Sequence, residues 1–333
     1  MEINASLGTS VGISLELPYM RIARMDMAGS ILEVQEIELD TSTTNLEQMI
    51  LDSLEHFLTR SQYVDDREIP ISAITLAVPA AIDFTRQQVH AVLYRNMREL
   101  DLKKLFEQTF TVPVFLENTE NLAALAEKHF GEGIDEQSFA FITIHHGIGA
   151  GFILNGQLYR GANGAAGEIG CQHMGHNRYV STSASETFET FASIHQIQQI
   201  ALNFLHKGRG EEIFKAANYA YKNITHQLVG DMAAEGSREA RNILSQYAQM
   251  LAAGISNVLV TVNPETIILG GQLVEIRECE EHIIEPLRHR LMELVPFPVP
   301  GIRLTRLGKE ASVIGACQMG LENTILGQYP YSL

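Results

Sequence analysis

A chain of 333 residues exceeds the roughly 250–300 at which one hydrophobic core usually splits, which predicts two lobes. With 45% hydrophobic and 19% charged residues the composition is that of an ordinary globular protein, and a formal net charge of −16 excludes a broad face for gripping nucleic-acid phosphates. The three cysteines are too far apart for a metal knuckle or a disulfide framework, no apolar run approaches the ~20 residues of a membrane span, and the expected compartment is the cytosol.

Val11 to Glu16 reads as a first strand, Arg21 to Met27 as its partner, and Ile31 to Leu39 as a third after the Ala28-Gly29-Ser30 turn. Thr44-Asn-Leu-Glu47 is a capping-box pattern, and Leu46, Met49, Ile50, Leu54, Phe57 and Leu58 then recur at helical spacing. Ile71 to Val78 is a buried strand leading into Pro79-Ala80-Ala81-Ile82-Asp83, and Asn96-Met97 follows in a turn. A further apolar run, Val114 to Leu116, breaks at Glu117-Asn118-Thr119, and a helix follows with Leu122, Leu125 and Ala126 on one face. Such an elbow places short side chains and free N–H groups at a cleft, and Asn118 or Thr119 would equally serve as a plain N-cap.

Phe139 to Ile144 is the next strand, then His145-His146-Gly147-Ile148-Gly149-Ala150-Gly151 and a hairpin turning at Asn155-Gly156. Adjacent histidines on a strand face opposite sides, so the pair is not expected to chelate one metal. Arg160-Gly-Ala-Asn-Gly-Ala-Ala-Gly-Glu-Ile-Gly170 precedes Cys171, and His173 and His176 read as surface histidines. Helices are predicted over Phe188–Lys207, Phe214–Ala233 and Ser237 towards Val260. A turn and buried strand end in Gly270-Gly271, and Ile283–Leu294 is a helix stopped by Pro296, Pro298 and Pro300. Arg303, Arg306 and Lys309 read as a solvated basic face.

The Glu117-Asn-x-x-Asn121 elbow running into Ala-Ala-Leu-Ala-Glu127, with Gly167-Glu168-Ile-Gly170 and Gly308 to Cys317, resembles the repressor–ORF–kinase (ROK) family of sugar kinases and sugar-responsive repressors. The resemblance implies an α/β, two-lobed actin/hexokinase/Hsp70-like ATPase fold with ribonuclease H-like lobes. The expected lobes are residues 1–117 plus 312–333, and 118–311. It implies sugar contacts at Asn96, Glu117, Asn118, Glu168 and Glu189, with Thr119 and Cys171 as substituted members.

Several positions depart from the kinase pattern. Thr119 stands where the kinases carry the Asp that takes the sugar proton, and losing a positioned base typically costs ~10²–10⁴ in rate. Glu120 is one residue along a helix, about 100° away, and should point elsewhere. Ser14 and Glu16 occupy the Asp and first Gly of the phosphate loop, His145-His146 replace Gly-Thr, and a carboxylate near a triphosphate repels it. Ser14, Glu16, His146, Gly147, Gly149, Gly270 and Gly271 thus read as a degenerate nucleotide site. Cys171 replaces the sugar- and zinc-contacting His, and Tyr179 to Thr187 lacks the zinc cysteines, so neither a metal nor a cofactor is expected. The Gly-Trp that usually follows Asn96-Met97 is absent.

Met1-Glu-Ile-Asn4 fits the linker that joins the DNA-binding and sensor domains of ROK repressors. The expectation is a dimerising domain that senses a sugar or sugar phosphate in a transcriptional regulator, catalytically inactive, with its helix-turn-helix before Met1 and no membrane partner. The alternative is a ROK sugar kinase that uses ATP on a hexose or N-acetylhexosamine.

Overall fold

Alternation along the first strand sets the layering of the amino-terminal sheet. In β1 (Thr9–Glu16) Val11, Ile13 and Leu15 enter a cluster with Ile22, Ile50, Leu54, Phe57, Leu76 and Phe106, while Gly12 and Ser14 face the opposite side. Strand β1 pairs antiparallel with β2 (Tyr19–Asp26), and β2 antiparallel with β3 (Ile31–Glu38). On its other edge β1 runs parallel to β4 (Ile71–Val78), and β4 parallel to β5 (Val114–Asn118), giving the order β3-β2-β1-β4-β5. The computed structural model describes residues 4–40, 46–60, 63–64, 67–83, 88–92, 102–175 and 187–327.

Helices α1 (Leu46–Arg60) and α2 (Leu102–Thr109) cover one face of this sheet. The capping residues proposed before Leu46 lie outside the described residues. The other face is covered by α3 (Thr119–Phe130) and α10 (Ala311–Leu326), where Leu122, Leu125, Ala316 and Met319 pack on Ala73, Ala77 and Phe115. Glycine permits this approach: a Cβ on Gly12 would strike the Val313 carbonyl, and one on Gly315 the Leu122 carbonyl.

The second sheet repeats the pattern. Strand β6 (Phe139–Ile144) pairs antiparallel with β7 (Ile148–Leu154) and parallel with β9 (Thr266–Gly271), which is parallel to β10 (Gly301–Leu304). The order β7-β6-β9-β10 thus reproduces β2-β1-β4-β5. Between β7 and β8 (Gln157–Tyr159) the turn is made by Asn155 and Gly156, both left-handed at φ 53° and 76°, as the Asn-Gly signal predicts.

Helix prediction was coarser here. The expected 188–207 helix is two, α4 (Phe188–Ala192) and α5 (Gln196–His206), separated at Ser193, whose backbone is extended. The expected 214–233 helix is also two, α6 (Glu211–Ala216) and α7 (His226–Ala234), because Asn218 and Tyr219 turn left-handed and Thr225 opens a new N-cap on Leu228 N. Helix α8 (Arg238–Val262) is long and apolar enough to cross a membrane, but 56% of its most apolar stretch is buried, with Ile243, Tyr247, Leu251 and Ile255 inside. Helix α9 (Glu285–Leu294) continues a π-helical turn at Glu280–Ile284.

The chain groups into two units, residues 1–134, 158–166 and 309–333, and residues 135–157 and 167–308. The boundaries of these units fall at 134/135, 157/158, 166/167 and 308/309. Helix α3 belongs with the first sheet because its apolar face shares a core with α10.

Candidate functional site

Strand β5 ends at the elbow, and every oxygen of the buried Glu117 carboxylate there is engaged within the first unit. Its Oε1 accepts from Asn118 N (2.9 Å) and Asn121 Nδ2 (3.0 Å), and its Oε2 from Arg160 Nε (2.5 Å). Asn118 is equally committed. Its Oδ1 caps α3 by accepting from Glu120 N (2.9 Å) and Asn121 N (3.1 Å), and its Nδ2 donates to Ala80 O (3.1 Å). The plain N-cap reading of Asn118 is thus realised, and Glu117 holds the elbow in shape.

Thr119 and Asn121 differ. Both are more than nine-tenths buried, yet Thr119 Oγ1 and Asn121 Oδ1 have no hydrogen-bond partner. A buried polar atom left unmatched costs ~1–3 kcal/mol. Asn96 lies outside the described residues. Sequence reasoning passed over Arg160, because nothing local marks it as the partner of a carboxylate 43 residues away.

In the second unit the Glu168-Ile-Gly-Cys171 segment is a short 3₁₀ turn beside α4. Glu189 on α4 accepts from Ile148 N (3.2 Å), and its Oε2 stands where a Cβ on Gly147 or Gly170 would crowd it. Glu168 reaches solvent, but the protein around it, and secondarily the Glu189 carboxylate, raises its carboxyl above the ordinary range. Partial burial, then the Glu168 and Glu189 charges, pushes the Cys171 thiol up, so it is a neutral weak donor.

The residues read as a degenerate nucleotide site divide between the units. In the first, Glu16 Oε1 accepts from Ser14 Oγ (3.0 Å) and Ser312 Oγ (3.2 Å), and its Oε2 lies 3.3 Å from Arg21 Nη1. Arg21 also donates to Glu36 (2.8 Å), which Lys309 holds at 2.7 Å. Lys309 is therefore part of an ion-pair network rather than simply solvated. In the second unit His146 is exposed with its ring 6.5 Å from that of His195, and Gly147 forms a tight turn by accepting from His145 N. Gly149 pairs in the sheet, Gly270 leaves room for the Phe141 ring, and Gly271 is left-handed against the Ile144 carbonyl. The glycines thus have packing reasons of their own.

The carboxylate nearest the β1 turn therefore has one oxygen accepting from two serine hydroxyls and the other in charge contact with Arg21. Among the described residues no three His, Cys, Asp or Glu side chains converge as a metal site; His176 lies outside them.

The sequence profile of the ROK family matches residues 10–322. The xylose repressor of Bacillus spizizenii is 27% identical over 330 residues, 96% of this chain and 79% of that protein. A glucokinase of Halalkalibacterium halodurans is 26% identical over 318 residues, 92% of each chain. Among solved structures, a ROK family transcriptional regulator homologous to the Escherichia coli MLC protein superposes with TM-score 0.80 at 22% identity, covering 98% of this chain and 82% of that one. A ROK family glucokinase from Streptomyces griseus, solved with glucose and AMPPNP, gives 0.75 at 21% identity, covering 94% and 99%. The fold is accordingly the α/β fold of the actin/hexokinase type.

Proposed function

The chain belongs to the ROK family, and from that premise we propose that it is the sugar-sensing domain of a ROK transcriptional regulator and not a working kinase. What supports this reading most is the elbow: the resemblance aligns Thr119 with the kinase base, its buried hydroxyl has no hydrogen-bond partner, and a hydroxyl accepts no proton near neutral pH. Further support comes from Glu16, whose oxygens are engaged by Ser14, Ser312 and Arg21. In this reading Glu168 and Glu189 accept hydrogen bonds from sugar hydroxyls, with Thr119, Cys171 and Asn96 as further contacts. Glu117 and Asn118 shape the elbow that carries Thr119. Sugar binding biases a conformational equilibrium, and a cytoplasmic homodimer passes that bias to DNA through a helix-turn-helix outside residues 1–333.

The second reading, an ATP-dependent sugar kinase, draws on the glucokinase relative. Calorimetry and a coupled ATP assay over D-xylose, D-glucose and N-acetyl-D-glucosamine separate the two. Binding heat without turnover is the expected result. Turnover that Glu120→Gln abolishes would overturn the proposal.

A further inference from the structure

Within the second unit, aromatic rings gather on the surface between α6 and α7. The Phe214 ring stacks on Tyr221 (centroids 4.8 Å apart, 18° between planes) and meets Tyr219 edge-on (5.5 Å, 88°), while Tyr219 is 64% and Tyr221 58% exposed. The backbone under Tyr219 is strained. It follows the left-handed Asn218 and is itself left-handed at φ 57°, a region that a bulky side chain rarely enters. The loop is held there by Tyr219 N donating to Phe214 O (2.9 Å), Gln198 Nε2 to Tyr221 O (2.9 Å) and Asn223 Nδ2 to Ala217 O (3.2 Å). Neither turn chemistry nor the core asks for a tyrosine at 219. The same unit takes left-handed backbone with glycine at Gly208, Gly210 and Gly236, and most of the Tyr219 ring is in water.

The charge around these rings runs against that of the chain, whose formal net charge is −16. Lys215 and Lys222 directly follow Phe214 and Tyr221, and both are exposed. Lys207 and Arg209 are exposed at the end of α5, with Arg209 over the Phe204 ring at 4.4 Å and paired to Glu239 at 2.8 Å. Against them the segment sets Glu211 and Glu212, and Glu212 already accepts from Ser237. Exposed tyrosines mark the anchor points of protein interfaces, and the cations beside them select a partner of opposite sign. A nucleic-acid strand needs a longer basic track than this one.

We infer that this tyrosine patch is a docking surface for an acidic segment of another protein, with an apolar or aromatic side chain seated on Tyr219 and Tyr221 and carboxylates facing Lys215 and Lys222. The inference stands apart from the sugar-sensing reading. The test pans a phage library of random dodecapeptides against the full chain and against Tyr219→Ala/Tyr221→Ala. Clones kept by the first and lost by the second are acidic and carry an apolar or aromatic residue. A synthetic copy of the leading clone, followed by fluorescence anisotropy, binds about tenfold or more weakly to that variant and to Lys215→Glu/Lys222→Glu, and its binding falls as salt rises. Tyr219→Gly removes the ring and the strain together, so it loses the peptide while its thermal midpoint holds or rises. A midpoint lower by several degrees would give the rings to the fold and overturn the inference. So would discriminating clones that are neutral or basic, or no discriminating clone at all. Oligothymidylate bound through the same tyrosines, or a double variant with altered sedimentation, would overturn it in favour of nucleic acid or of a second copy of the chain.

Discussion

Replacing Arg160 by Ala tests whether the elbow is held by an ion pair or by packing alone. Glu117 is 2% exposed and Arg160 26%, so the substitution strands a carboxylate that water barely reaches. Removing one partner of a buried pair typically costs ~3–5 kcal/mol. Two N–H donors, from Asn118 and Asn121, stay on Glu117 after the change, and Arg160 is itself partly wet, which lowers the figure to about 2–3 kcal/mol. Glu117→Gln removes the charge and keeps an acceptor for the same N–H groups, so its cost should be smaller, about 1–2 kcal/mol. In the double variant no stranded charge remains, and the two losses should not add. The assay is urea unfolding of the four proteins, read as a double-mutant cycle. A coupling of about 1 kcal/mol or more is expected, whereas additivity within about 0.3–0.5 kcal/mol would refute the reasoning.

Gly315→Ala drives a methyl group into the Leu122 carbonyl between α10 and α3, and the backbone there has little freedom to retreat; a loss of about 1–3 kcal/mol is expected in thermal unfolding. The Lys309 hydrogen bond, opposed by some burial and helped by Arg21, holds the Glu36 carboxyl below its ordinary range. A depressed carboxyl stabilises the fold above its unfolded pKa and loses that contribution as pH falls through the folded one. Lys309→Met should therefore raise the Glu36 pKa in an NMR titration and reduce the acid sensitivity of stability below about pH 4.5. A titration unchanged by the substitution would contradict the ion pair. Thr119→Asp places a carboxylate at the elbow but leaves Glu16 bound to its serines and facing Arg21, so under the proposed sensor reading a coupled ATP assay should show no sugar phosphorylation. Robust turnover in that variant would contradict the proposal that the Ser14–Glu16 turn no longer serves a nucleotide.

Local chemistry made much of this fold legible. The period-two run of β1, the apolar stretches of β4 and β6, and the left-handed turn at Asn155-Gly156 each follow from sterics and burial within a few residues. The elbow at Glu117-Asn118-Thr119 was readable on the same terms, as a strand end meeting a capped helix. Helix breaks at Ser193 and Asn218 were not, because the apolar pattern on either side runs on as though the helix continued.

What the sequence by itself determined is therefore most of the strands, the Asn155-Gly156 turn and the polar elbow at Glu117-Asn118-Thr119. Only the tertiary structure decided which polar groups are spent and which are open. Glu117 meets an arginine 43 residues later, and Ser312 closes on Ser14 across 298 residues of chain. A carboxylate reads the same in sequence whether it awaits a ligand or is saturated by distant donors. The difference is set by which partners folding brings within about 3 Å, and those partners come from elements that touch only after the sheets and helices have packed.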